Sequence, residues 1–137
     1  MMLLAAEEDV AATTSDEPDP PPKPRLLIVE DDRATRVALV ALFRRLGLEV
    51  ESVETLAEAR ARLVARPDFV VLDLMLPDGN GIEVLRHIRS AGLPVRVAVT
   101  TGVFDWHLLD DVRKLGPERL FQKPVDAAKL RDWLTGK

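Results

Sequence analysis

Five short runs of aliphatic and β-branched residues punctuate the sequence: Leu26-Leu27-Ile28-Val29, Val50 to Val53, Phe69-Val70-Val71-Leu72, Val95 to Val99 and Leu120-Phe121. Most are apolar at successive positions, so both faces of each strand must be covered. Strands of that kind belong to a parallel sheet sheathed by helices. The intervening segments carry helix punctuation. Arg33 to Leu46 is bounded by Asp32 and stopped by Gly47, and Thr55-Leu56-Ala57-Glu58 is a capping-box sequence ahead of Ala59 and Leu63. Ile82 to Ala91 follows the turn Pro77-Asp78-Gly79-Asn80-Gly81, Trp106 to Leu115 stops at Gly116-Pro117, and Ala127 to Leu134 starts after Asp126. Five βα units in that order predict an α/β fold: a doubly wound, five-stranded parallel sheet with helices on both faces. The carboxyl ends of its strands converge on one crevice.

The first 24 residues stand apart. They hold five of the ten prolines and six acids against one lysine, a net charge of −5, while the whole chain carries only −4. Residues 1–24 are expected to be a disordered, acidic, Pro-rich tail, and residues 25–137 one globular domain of ordinary size. The domain itself is close to neutral, which gives no basic footprint for direct nucleic-acid binding. No apolar run is long enough to span a bilayer, and the opening Met1-Met2-Leu3-Leu4 lacks a basic n-region, so a cytoplasmic protein without membrane attachment is expected. Cysteine is absent, which excludes disulfides and thiolate chemistry.

Polar residues follow the apolar runs with regularity. The first strand ends in Glu30-Asp31-Asp32, the third in Asp73 and the fourth in Thr100-Thr101-Gly102, and the fifth precedes Lys123-Pro124. On the expected fold these groups meet at one rim. Clustered carboxylates repel one another unless a hard cation is bound, and an all-oxygen donor set with no cysteine and no neighbouring histidine suits Mg²⁺ rather than zinc. Asp32 is accounted for as a helix cap. Asp31, Asp73 and Glu30, whose longer arm can act through a water, are candidate metal ligands. A carboxylate beside Mg²⁺ can attack a phosphoryl donor and form an acyl phosphate, and the oxygens of the moving group are neutralised by metal, ammonium and hydroxyl. Mg²⁺, Lys123 and Thr101 could supply those three.

These segments together resemble the response-regulator receiver domain of two-component signalling, of the chemotaxis-regulator kind. The resemblance lies in Leu26 to Asp32, in Val71-Leu72-Asp73-Leu74-Met75-Leu76-Pro77-Asp78-Gly79-Asn80-Gly81, in the threonine ending the fourth strand and in Lys123-Pro124-Val125. It covers about residues 25 to 136, with 42 residues from Asp31 to Asp73 and 22 from Thr101 to Lys123. The resemblance implies a flavodoxin-like strand order 2-1-3-4-5 and a cis Lys-Pro peptide. It makes Asp73 the phospho-acceptor, Glu30 and Asp31 the acidic pair, the Met75 backbone carbonyl a Mg²⁺ ligand and Lys123 the phosphate-binding cation. Implied partners are a sensor histidine kinase or phosphotransfer protein, a downstream protein target and a phosphorylation-dependent homodimer. Output would pass through the face formed by the fourth helix, fifth strand and fifth helix, with Trp106 a candidate contact.

The switch residues are less uniform. The spacing to Lys123 and the small Gly102 favour Thr101, while strand alternation sends Thr100 and Thr101 to opposite faces. The family usually carries an aromatic three residues before the lysine, and here that place holds Leu120, with Phe121 after it. Met75 and Val103 look like the positions flanking the phosphoryl group. Being apolar, they should hinder the hydrolytic water and lengthen the phosphoform's life. His87 and His107 sit in helix patterns with surface or packing roles. Two other readings remain: a receiver-like scaffold that is not phosphorylated, which Leu120 favours, and a haloacid-dehalogenase-type hydrolase, which needs an acid where Met75 stands. The chain ends just after its last helix, so, if it is complete, its output is protein contact or relay.

Overall fold

The computed structural model of the chain describes residues 18–102 and 104–137. The expected disorder of residues 1–17 and the part assigned to Val103 lie outside them. Residues 18–24 are exposed and have no regular secondary structure.

Five parallel strands, β1 (Arg25–Val29), β2 (Glu49–Val53), β3 (Phe69–Asp73), β4 (Arg96–Thr101) and β5 (Arg119–Gln122), form one sheet in the order β2-β1-β3-β4-β5. This is the 2-1-3-4-5 order of a flavodoxin-like fold. Five helices connect and follow them: α1 (Arg33–Arg45), α2 (Leu56–Leu63), α3 (Ile82–Ser90), α4 (Trp106–Lys114) and α5 (Ala127–Thr135). A two-stranded antiparallel ribbon, Met75–Leu76 against Gly79–Asn80, occupies the segment between β3 and α3.

Alternation along the strands divides the core into two layers. Leu27, Val29, Val70, Leu72, Val97 and Val99 pack with residues of α2, α3 and α4, whereas Leu26, Ile28, Val71 and Ala98 pack with Phe43 of α1 and Leu130, Trp133 and Leu134 of α5. Burying one such aliphatic side chain contributes roughly 1.5–3 kcal/mol, so slipping a strand by one residue, which exchanges its two faces, is strongly opposed. β2 is an edge strand with three of its five residues exposed, and its pattern is accordingly the least apolar.

Helix starts are fixed by short polar side chains. Asp32, Thr55, Asp105 and Asp126 each accept a hydrogen bond from a backbone N–H in the first turn of α1, α2, α4 and α5, which typically contributes about 1 kcal/mol. The capping box at α2 is displaced by one residue from the simplest form: Glu58 Oε1 accepts from the Glu54 N–H at 3.2 Å. β4 starts one residue later than its apolar run and continues through both threonines. At its start the Val95 N–H turns back to the Leu93 carbonyl.

Candidate functional site

At the carboxyl end of the sheet the β1–α1 loop and the end of β3 bring Glu30, Asp31 and Asp73 together. One carboxylate oxygen from each lies within 4.8 Å of the others, the only cluster of this kind among the described residues. Glu30 and Asp73 are buried, Asp31 exposed. Lys123, delivered by the segment after β5, bridges the two buried acids: its Nζ donates to Glu30 Oε1 at 3.0 Å and to Asp73 Oδ2 at 3.0 Å. The Lys123-Pro124 peptide is cis.

Burial pushes the Glu30 carboxyl above its ordinary value, its hydrogen bond with Asp73 adds to that, and the hydrogen bond from Lys123 only partly offsets both. Burial alone would pull the Lys123 ammonium down, but its hydrogen bonds to Asp73 and Glu30 outweigh this and raise it. The site therefore keeps a cation between two buried acids while one exposed acid faces solvent. A dense all-oxygen donor set with one open side fits a hard divalent cation such as Mg²⁺, which retains waters on that side.

The two threonines part as alternation requires. Thr101 lines a cavity of about 370 Å³ on the α4 side together with Leu120, Leu109, Arg113, Phe104 and Trp106. Thr100, paired in register with Asp73, lines one of about 320 Å³ between α1 and α5 with Thr35, Leu39 and Lys123. Thr101 and Leu120 thus share one face of the sheet. Trp106 and Phe104 are 74% and 73% exposed at the rim of the first cavity, so Trp106 is not packed into its own domain. Phe121, in contrast, is in the core of the α1–α5 layer. His87 and His107 are both exposed.

Two supporting groups are not evident from strand-end motifs. Arg36, its side chain only 12% exposed, donates from Nη1 to the Glu30 and Asp31 carbonyls at 3.1 and 3.3 Å and lies 3.3 Å from Glu54 Oε1. It ties the acidic loop to the segment before α2. Its place one turn beyond Asp32 on α1 was the available signal. Asp78 accepts from the Leu56 and Ala57 N–H groups at 2.8 and 3.1 Å, although it lies 22 residues beyond Leu56. In the sequence it reads only as a turn residue.

The profile described as "Response regulator receiver domain" matches residues 26–135. The chain belongs to this family. Among curated proteins the receiver domain is similar to photosynthetic apparatus regulatory protein RegA of Rhodobacter capsulatus, 32% identical over 109 residues, which are 79% of this chain and 59% of that protein. It is also similar to sporulation initiation phosphotransferase F of Bacillus subtilis, 28% identical over 104 residues, 75% of this chain and 84% of the relative. The chain spans little more than half the length of several such relatives, including 51% of acid tolerance regulatory protein ActR of Rhizobium meliloti. Of solved structures, the response regulator receiver protein of Pseudomonas putida superposes with TM-score 0.78 at 28% identity, covering 86% of this chain and 100% of that one. A CheY-like receiver domain of Methanospirillum hungatei matches the fold with TM-score 0.79 at 24% identity, over 84% of this chain and 93% of that one. Receiver domains are signalling modules of two-component systems, and the acidic pocket formed by Glu30, Asp31 and Asp73 is the kind at which they take Mg²⁺. Among the described residues of this receiver domain, no helix is long and apolar enough to cross a membrane.

Proposed function

We propose that this receiver domain accepts a phosphoryl group on Asp73 from the phosphohistidine of a sensor kinase or phosphotransfer protein, and relays the change to a protein partner in the cytoplasm. The observation that carries this reading is Lys123 Nζ held 3.0 Å from both Glu30 Oε1 and Asp73 Oδ2 inside a three-carboxylate cluster. Mg²⁺ would be held by Glu30, Asp31, Asp73 and the Met75 backbone carbonyl, and when bound it supplies positive charge to the oxygens of the moving group. The chain's own residues do the rest. An Asp73 oxygen attacks phosphorus, the phosphorus–nitrogen bond breaks, and the imidazole leaves with the electron pair. The Met75 N–H, 3.2 Å from Asp73 Oδ1, fixes one oxygen of the nucleophile, and Lys123 stands ready for the new phosphoryl oxygens.

Thr101 serves as the hydroxyl that follows the phosphoryl group, because it opens on the same side as Leu120 and α4. Readout then passes to the α4–β5–α5 face, where Trp106 is exposed for contact. In the experiment that tests the chemistry, the protein is incubated with a small phosphodonor and Mg²⁺. Label is expected on the wild type, with none on Asp73→Asn and none when the metal is chelated. Equal labelling of Asp73→Asn would refute the acceptor assignment.

A further inference from the structure

Resting on the proposed Mg²⁺ site, the geometry points to Asp78 as a positioning residue that docks the site's ribbon onto the N-terminus of α2 and so sets metal affinity. The ribbon is held at three places. Asp78 Oδ1 and Oδ2 accept from the Leu56 and Ala57 N–H groups. Asn80 Oδ1 accepts from the Ile82 N–H at 2.9 Å, and the Gly81 N–H donates to the Leu74 carbonyl at 2.8 Å. At the opposite end of the same ribbon, Met75 pairs with Asn80, and its N–H reaches Asp73 Oδ1. Asn80 and Gly81 anchor its base, Leu76 packs against the core, and the tip reaches α2 through Asp78.

That contact is close and polar by construction. Gly79 has φ +146°, a conformation open to glycine, and a Cβ there would lie 2.8 Å from Leu56 Cδ1. The first-turn N–H groups of α2 are divided between two caps, a local one and a distant one. Thr55 Oγ1 takes the Glu58 N–H, while Asp78 takes those of Leu56 and Ala57. Those two N–H groups thus connect the helix to a ribbon that ends at the metal carbonyl. The acidic loop meets the neighbouring residue Glu54 through Arg36, so both walls of the site rest on the stretch from Glu54 to Ala57 that leads into the first turn of α2. Residues that support a metal's ligands commonly change affinity by a large factor when removed.

The distant and local caps separate the inference from mere helix stability. Asp78→Ala and Thr55→Ala both remove a cap from α2, yet only Asp78→Ala frees the ribbon. Mg²⁺ affinity is measured by calorimetry, and amide hydrogen exchange at Leu56 and Ala57 is followed with and without Mg²⁺. Asp78→Ala is expected to weaken Mg²⁺ binding by about tenfold, and Thr55→Ala to leave it within about twofold. By reciprocity, Mg²⁺ slows exchange at Leu56 and Ala57 in the wild type but not in Asp78→Ala. Equal losses of affinity in the two variants, or no loss in Asp78→Ala, would overturn the inference. A wild type that binds no Mg²⁺ would instead remove the metal-site reading on which it rests. If Asp78→Ala does not fold, Asp78→Asn, which keeps one acceptor for the Leu56 N–H, is expected to fall between the two, and wild-type affinity there would overturn the inference equally.

Discussion

Replacing Lys123 with Met keeps most of the aliphatic stem and removes only the charge between Glu30 and Asp73. At 3.0 Å from each acid, the ammonium has a gross attraction of about 5–6 kcal/mol per pair at an effective dielectric constant of about 20. Desolvation of three charged groups offsets most of this. Breaking a buried pair by removing one partner usually costs about 3–5 kcal/mol. The Lys123 side chain is still 32% exposed, and solvent screening reduces the expected cost to about 2 kcal/mol. For a domain of this size that lowers the melting temperature by about 8 °C. Urea unfolding without Mg²⁺, followed through the buried Trp133 packed 5.3 Å from Phe69, measures the loss. Saturating Mg²⁺ supplies the missing positive charge, so the gap between variant and wild type should shrink to below about 1 kcal/mol. A variant as stable as wild type without metal, or a gap that Mg²⁺ leaves unchanged, would refute the electrostatic account of the site.

Three other perturbations address separate parts of the structure. A Cβ at Gly81 would collide with the Asp73 carbonyl oxygen and lie 3.0 Å from Leu74 Cα; Gly81→Ala should therefore cost about 3 kcal/mol or more in urea unfolding and abolish phospholabelling. Leu120→Tyr has the 370 Å³ cavity beside it to fill, so its stability should stay within about 1 kcal/mol of wild type, and the change in Trp106 emission on phosphorylation should increase. Because burial and the hydrogen bond with Asp73 raise the Glu30 pKa above 4.5, stability linked to Glu30 in the metal-free protein is full below the ordinary carboxylate range. It falls as pH rises through the raised value. Glu30→Gln should then be the more stable protein by thermal melts in chelator at neutral pH, but bind Mg²⁺ more weakly.

The sheet was legible because its strands are buried on both faces, which leaves a continuous apolar signature in Leu26–Val29 and Phe69–Leu72. Edge strand β2, with its Glu49 and Glu51 exposed, is defined more by its place between two helices than by its own pattern. The acids and Lys123 were legible because side chains at strand ends must converge in this topology. What the sequence did not disclose depends on contacts across loops. Asp78 in Pro-Asp-Gly-Asn-Gly has the composition of any turn, and only the approach of the ribbon to α2 converts it into a helix cap. Arg36 belongs to a helix whose exposed face carries other arginines, and its burial against the Glu30 and Asp31 carbonyls follows from the position of β2. Period-two alternation separated Thr100 from Thr101, but which cavity each one meets required the helices on either side.

The central claim, that Asp73 is the acceptor, is tested most directly by trapping the acyl phosphate. The protein is phosphorylated with a small donor and Mg²⁺, reduced with borohydride, digested and sequenced by mass spectrometry, so that the modified aspartate is recovered as homoserine. Homoserine at position 73 alone, dependent on Mg²⁺ and lost when Asp31 is changed to Asn, is the predicted result. Homoserine at another acid with residue 73 unmodified, or none at all while phosphoryl label is found on His87 or His107, would contradict it.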